Sequence, residues 1–313
     1  MSAPTKGQAR PRDVMEGYAL VAVSFLIWGL IGALVRWVTM PESALNVLRM
    51  VIGAALVGAL FARRATFAEV RRRDVWPNLL LMGAFSASTI LLFFVAMRLT
   101  DVAVGMFLLF TSPVYVALLA PRFMRQPVDR VVYPALAIAV AGMLVILLPG
   151  LLGVGGLSLL GVACGAATGF LYACYALVTK RLTGRARSTT IALAEMVIDA
   201  VLLLPLGAWQ VFGTGYDITR NDVVAAVVLG VVCTALPYVL YVEGLRRVRV
   251  EHASIIGYLE PVSAPFYAYL LLGEAPAPTT VLGAVLITVA GVLVIVYGQR
   301  ETPVGPDAGD AGS

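Results

Sequence analysis

The chain has 313 residues, of which 60% are hydrophobic and only 13% charged, with a net charge of +5 and a single histidine. Roughly 25% of the residues in an ordinary soluble domain are charged, so this composition excludes that class and points to the bilayer. The basic excess is scattered between apolar segments rather than gathered in a block, which argues against a nucleic-acid partner.

Ten apolar stretches of about 18 to 23 residues are each near the ~20 that a hydrocarbon core requires, and they predict an all-α integral membrane protein. The first, 18–38, contains Trp28 and ends at Arg36-Trp37 without a small-residue cleavage site, so it reads as a span and not a signal peptide. The second, 43–61, buries Arg49, and the third, 76–97, contains Phe93. The fourth, 102–120, is interrupted by Pro113, and the fifth covers 131–148. In the sixth, 157–179, Gly161, Gly165 and Gly169 form a small-residue stripe suited to helix packing, followed by Tyr172. The seventh, 189–208, holds Glu195 and Asp199, and the eighth, 223–243, holds Tyr238 and Tyr241. His252, Tyr258, Glu260 and Pro261 lie in the ninth, 250–272, and the tenth is 279–297. Residues 1–14 and 299–313 read as disordered tails. Cys164, Cys174 and Cys233 lie inside spans with no second ligand cluster, so they read as packing residues, and neither a metal nor a cofactor is expected.

Because the segments alternate sides, the basic residues can be sorted by loop. Nineteen of the 23 fall on the side of the N-terminus, Arg36, Arg98 and Arg220 on the other, and Arg49 within the membrane. Under the positive-inside rule both termini are cytoplasmic, in a multi-pass cell-membrane protein. Anionic-lipid attraction is a secondary consequence of the same charge.

The chain also repeats itself. Arg98-Leu99 to Pro113-Val114 lies 148 residues before Arg246-Arg247 to Pro261-Val262. The run from Ala141 to Leu147 matches that from Ala290 to Val296 at five of seven positions, Met50-Val51-Ile52 recurs as Met196-Val197-Ile198, and Trp28 falls opposite Tyr172. Each half, 15–149 and 157–298, therefore holds five spans. Five is odd, so the second half enters the membrane from the opposite side, as in transporters with inverted repeats and a midplane site. Pro113 and Pro261 are matched helix breaks, each expected to free the carbonyl four residues earlier, Leu109 and Gly257, toward a cavity.

Phe25-Leu26-Ile27-Trp28-Gly29, Leu48-Arg49-Met50, Thr111-Ser112-Pro113-Val114, Leu259-Glu260-Pro261-Val262 and Leu271-Leu272-Gly273-Glu274 together carry a family pattern. In order and spacing, over residues 18–297, the chain resembles the EamA-like branch of the drug/metabolite transporter superfamily. The resemblance implies ten helices in two inverted five-helix units and carriage, often outward, of small organic metabolites, amino acids or drugs. Family members often carry Glu-Pro in both halves; here the first half reads Ser112-Pro113, which leaves Glu260 without a matching acid.

Ionisable residues deep in a membrane are costly and mark pathways, so Arg49, Glu195, Asp199 and Glu260 are the leading site candidates. A rise of ~1.5 Å per residue puts Asp199 about one helical turn closer in depth to Arg49 than Glu195 is. An Arg49–Asp199 ion pair is therefore expected. Glu195 and Asp199 are i,i+4 on one face, and two acids that close in a poorly hydrated site cannot both stay ionised cheaply, so protons are a candidate coupling partner. Trp28, Phe93, Tyr172, Tyr238, Tyr241 and Tyr258 are candidate cavity aromatics for a planar or cationic solute. His252, at the mouth of its segment, reads as a solvated helix-end residue.

These features predict a secondary transporter, an exporter of amino acids or neutral and cationic metabolites, working by alternating access. One buried cation disfavours a phosphorylated sugar or nucleotide-sugar exchanger. A membrane-embedded enzyme would need a serine–histidine or zinc-ligand constellation that the sequence does not supply. Oligomeric state is left open.

Overall fold

A computed structural model describes residues 11–62, 64–153 and 158–298, so the tail expectations for 1–10 and 299–313 lie outside the described residues. Residues 11–14 do not belong to a tail. The first helix, α1, begins at Pro11 and runs to Leu34, with Val14 buried in the core.

Ten spans long and apolar enough to cross a membrane follow one another with short connections, and no strand occurs among the described residues. After α1 come α2 (Glu42–Phe61), a short surface helix α3 (Arg64–Val70) and α4 (Trp76–Leu99). The fourth span is split into α5 (Val102–Leu109) and α6 (Ser112–Met124), and α7 (Val132–Leu152) completes the first half. The second half contains α8 (Leu159–Thr183), α9 (Ser188–Ala208), α10 (Arg220–Gly230) joined through a π-turn to α11 (Leu236–Arg247), α12 (Val250–Ile256), α13 (Leu259–Leu272) and α14 (Pro278–Tyr297).

Local chemistry sets several of these ends. The Ser158 hydroxyl accepts the Gly161 N–H to start α8. Thr219 and Asp222 form a capping box at α10, worth on the order of 1 kcal/mol for such a motif. Proline explains the two broken spans, since it lacks an N–H and its ring clashes with the preceding turn. α5 stops at Leu109, three residues before Ser112-Pro113, and α12 stops at Ile256, before Leu259-Glu260-Pro261. One expectation changes here: the Gly257 carbonyl is not free, because the Glu260 N–H closes a tighter turn onto it at 3.1 Å.

The packing follows a pattern that the repeat explains. The second span packs on the seventh, and the fifth on the tenth. The third packs on the sixth as the eighth packs on the first, and the first packs on the ninth as the sixth packs on the fourth. Exchanging each span with the one five places on leaves this set of neighbours unchanged. The glycine stripe works as read: a Cβ on Gly165 would sit 2.5 Å from Leu108 Cδ1, and one on Gly169 would sit 2.5 Å from the Leu108 carbonyl oxygen. The absence of side chains there brings α8 against α5.

Candidate functional site

A cavity of about 190 Å³ lies where the two broken spans meet, walled by α1, α2, α4, α5, α6, α8, α9, α11, α12 and α13. Of the residues singled out from sequence, Arg49, Glu195, Glu260, Trp28, Tyr172, Tyr238 and Pro113 line it, together with Phe93 and Tyr241. Both break residues Leu109 and Gly257 are on its wall.

Its aromatic side is one interlocked cluster. Trp28 stands edge-on to Phe25 at 5.0 Å and to Tyr238 at 5.4 Å, and Tyr241 packs against Trp28 at 5.5 Å and Phe25 at 5.6 Å. Such contacts add about 0.5–1.5 kcal/mol each beyond burial and hold the rings in fixed orientations. Phe25 and Tyr175 are wall residues that sequence reasoning did not single out. Phe25 was legible as one helical turn before Trp28, on the same face.

The polar side departs from the expected pairing. Arg49 makes no ion pair with Asp199. Its Nε donates to Asn46 Oδ1 at 2.7 Å, one turn away on α2, while its buried Nη1 has no hydrogen-bond partner. Asp199 is fully buried outside the cavity lining, and its Oδ2 accepts the Ser86 hydroxyl of α4 at 2.7 Å. The Asp199 carboxylate is turned toward α4. Ser86 was missed because a hydroxyl among small residues in a span usually bonds its own helix. Glu195, one turn before Asp199, is buried at the cavity and shares its wall with Tyr175. Its Oε2 has no partner, and neither has Asp199 Oδ1. Buried polar atoms without partners are rare and costly.

Tyr258 and Pro261 are not on the cavity wall. Tyr258, expected among the cavity aromatics, is buried behind it and donates its hydroxyl to the Phe110 carbonyl at 2.7 Å, with the two rings stacked at 6.1 Å. Phe110 and Tyr258 are 148 residues apart, the spacing of the repeat, so the two breaks touch through corresponding positions. His252 is also placed differently from expectation: it is fully buried, bonded to Tyr18, and no solvated end residue.

The EamA-like transporter family model matches residues 15–148 and again 159–297. An uncharacterized transporter of Archaeoglobus fulgidus is 28% identical over 90% of this chain and 97% of its own length. The threonine/homoserine exporter RhtA of Escherichia coli K12 is 28% identical over 81% of this chain and 82% of its own. A crystal structure with 16% sequence identity superposes at a TM-score of 0.79, covering 93% of this chain and 98% of that one, which shows the same fold.

Proposed function

Since the chain belongs to the EamA-like transporter family, we propose that it is a secondary transporter that exports a small amphoteric metabolite such as an amino acid through the central cavity. The observation that carries this reading is the pair of unpartnered groups at that cavity. Arg49 Nη1 offers a buried charged donor and Glu195 Oε2 a buried acceptor. A solute bearing a carboxylate and an ammonium completes both at once, whereas a purely anionic or purely cationic one leaves one of them stranded. The aromatic wall of Phe25, Trp28, Tyr238 and Tyr241 suits an apolar or hydroxylated side chain, with cation–π attraction for the ammonium. RhtA, named for threonine and homoserine, is consistent with this class.

The symmetric packing and the doubled family match support two inverted five-helix halves that swap roles around the cavity. The loop charge asymmetry supports cytoplasmic termini. Glu195, Asp199 and Glu260 are the acids proposed to exchange the coupling proton. Nucleotide sugars are disfavoured, since Arg49 is the only cation lining the cavity among the described residues.

The test is efflux and uptake of a radiolabelled panel in proteoliposomes with an imposed pH gradient. The panel pairs neutral amino acids with polyamines, organic acids and nucleotide sugars. Amino acids that move and respond to the gradient support the reading. Movement of nucleotide sugars alone overturns it.

A further inference from the structure

A buried polar cluster that the transport site does not use lies at the end of the bundle that carries the termini. His252 of α12 is fully buried, and its Nδ1 lies 2.7 Å from the Tyr18 hydroxyl of α1, which donates to it when that nitrogen is unprotonated. On the other side of the ring, Nε2 lies 3.2 Å from Asp129 Oδ2, in the connection before α7, without a hydrogen bond between them. Both partners are nearly inaccessible to solvent. Beside them Arg249 pairs with Glu251 at 2.6 Å and donates to the Pro127 carbonyl, drawing the same connection onto the start of α12. The end of α14 covers the ring, so closely that a Cβ on Gly298 would be 2.8 Å from His252 Cε1. The groups facing His252 thus come from α1, the α6–α7 connection, the α11–α12 connection and α14, that is, from both halves.

Two residues further along α12, Ser254 already lines the cavity. The cluster therefore adjoins the cavity lining along α12. Its symmetry mates cannot form the same contacts at the opposite end. The 148-residue spacing puts Val104 in the place of His252, and the Trp28–Tyr172 offset puts Val162 in the place of Tyr18. At the opposite end Arg36 pairs with Glu274 and Arg98 with Glu42 in the open, and a different buried cluster joins the halves, where Asp222 accepts from Tyr216 and from the Thr39 and Met40 N–H groups.

We infer that Tyr18, His252 and Asp129 form a gate latch, which holds the cavity shut toward the side of the termini and must part for the cavity to open there. This rests on the alternating-access reading above.

The reporter is Ser254→Cys in a chain with Cys164, Cys174 and Cys233 replaced by alanine. It is labelled in oriented proteoliposomes with a membrane-impermeant maleimide added on the side of the termini. Tyr18→Phe keeps the ring and removes only the latch hydroxyl. A buried hydrogen bond worth ~1 kcal/mol corresponds to a population shift of about fivefold, so Tyr18→Phe is expected to raise the labelling rate about fivefold or more. Asp129→Asn and His252→Ala are expected to do the same, and Val104→Ala to leave the rate unchanged. Tyr18→Phe protein that is monodisperse and labels at the reference rate overturns the latch, whether or not His252→Ala folds. The labelling needs no solute, so its failure would leave the transport reading to be judged by the proteoliposome panel.

Discussion

Removing the Tyr258 hydroxyl tests how the two halves are joined at their breaks. Tyr258→Phe keeps the ring that stacks on Phe110 at 6.1 Å and deletes the 2.7 Å hydrogen bond to the Phe110 carbonyl. Both residues are buried, so water does not replace the lost donor without local opening. Hydrogen bonds inside membrane proteins average about 0.6 kcal/mol and reach about 1.7, while a stranded buried carbonyl costs about 1–3. The loss should therefore fall near 1–2 kcal/mol, which at roughly 2–4 °C per kcal/mol is a drop in Tm of a few degrees. Thermal unfolding in detergent measures that, and ligand-induced stabilisation measured in the same assay should keep its midpoint. A variant with unchanged Tm but weakened ligand binding would refute the reasoning. It would return Tyr258 to the cavity wall, where the sequence alone had put it.

Other predictions follow from single contacts. Arg49→Ala should lose solute binding, and adding Asp199→Asn should not restore it, because Asp199 is held by Ser86; size-exclusion profiles and binding of the single and double variants check both points. Gly169→Ala should destabilise more than Gly165→Ala, since its Cβ meets the Leu108 backbone oxygen while the other meets a movable Leu108 methyl; about 1–3 kcal/mol is expected for such overpacking, read by thermal unfolding. Single-cysteine labelling at position 217 should proceed from outside intact cells, and reaction only after permeabilisation would reverse the topology. At the surface, hydrogen bonding from Arg72 holds the Asp74 carboxyl below its usual 3.8, so whatever stability it adds is present above that pH and lost as pH falls through the lowered value. Asp74→Asn should accordingly leave the slope of stability between pH 5 and 8 unchanged.

The spans were legible because bilayer thickness fixes helix length, and the two breaks because Pro113 and Pro261 recur at the repeat spacing, whereas Pro121, Pro149, Pro205 and Pro265 lie inside unbroken helices. The cavity's position followed from the repeat, and most of the aromatic residues named from it are on the wall. Partner choice was less legible. Depth comes from counting residues, but which way a side chain faces depends on helix rotation, and rotation is set by neighbours that one helix does not reveal. Asp199 turned to Ser86 for that reason, and Arg49 kept to Asn46 on its own helix. The burial of His252 needed three elements distant in sequence, Tyr18, Asp129 and the end of α14, to converge on a helix mouth that hydropathy marks as a water boundary. The contact between Tyr258 and Phe110 did leave a trace, since residues related by a two-fold repeat can touch only near its axis.

The central claim, that one solute bridges Arg49 and Glu195 in the cavity, is tested most directly by counterflow with three forms of one labelled amino acid. These are the zwitterion, its carboxamide without the carboxylate, and its N-acetyl derivative without the ammonium. Exchange of the zwitterion alone, lost in Arg49→Gln and in Glu195→Gln protein that remains folded, is the predicted result. Equal exchange of the carboxamide or the N-acetyl form by the unaltered protein would contradict it.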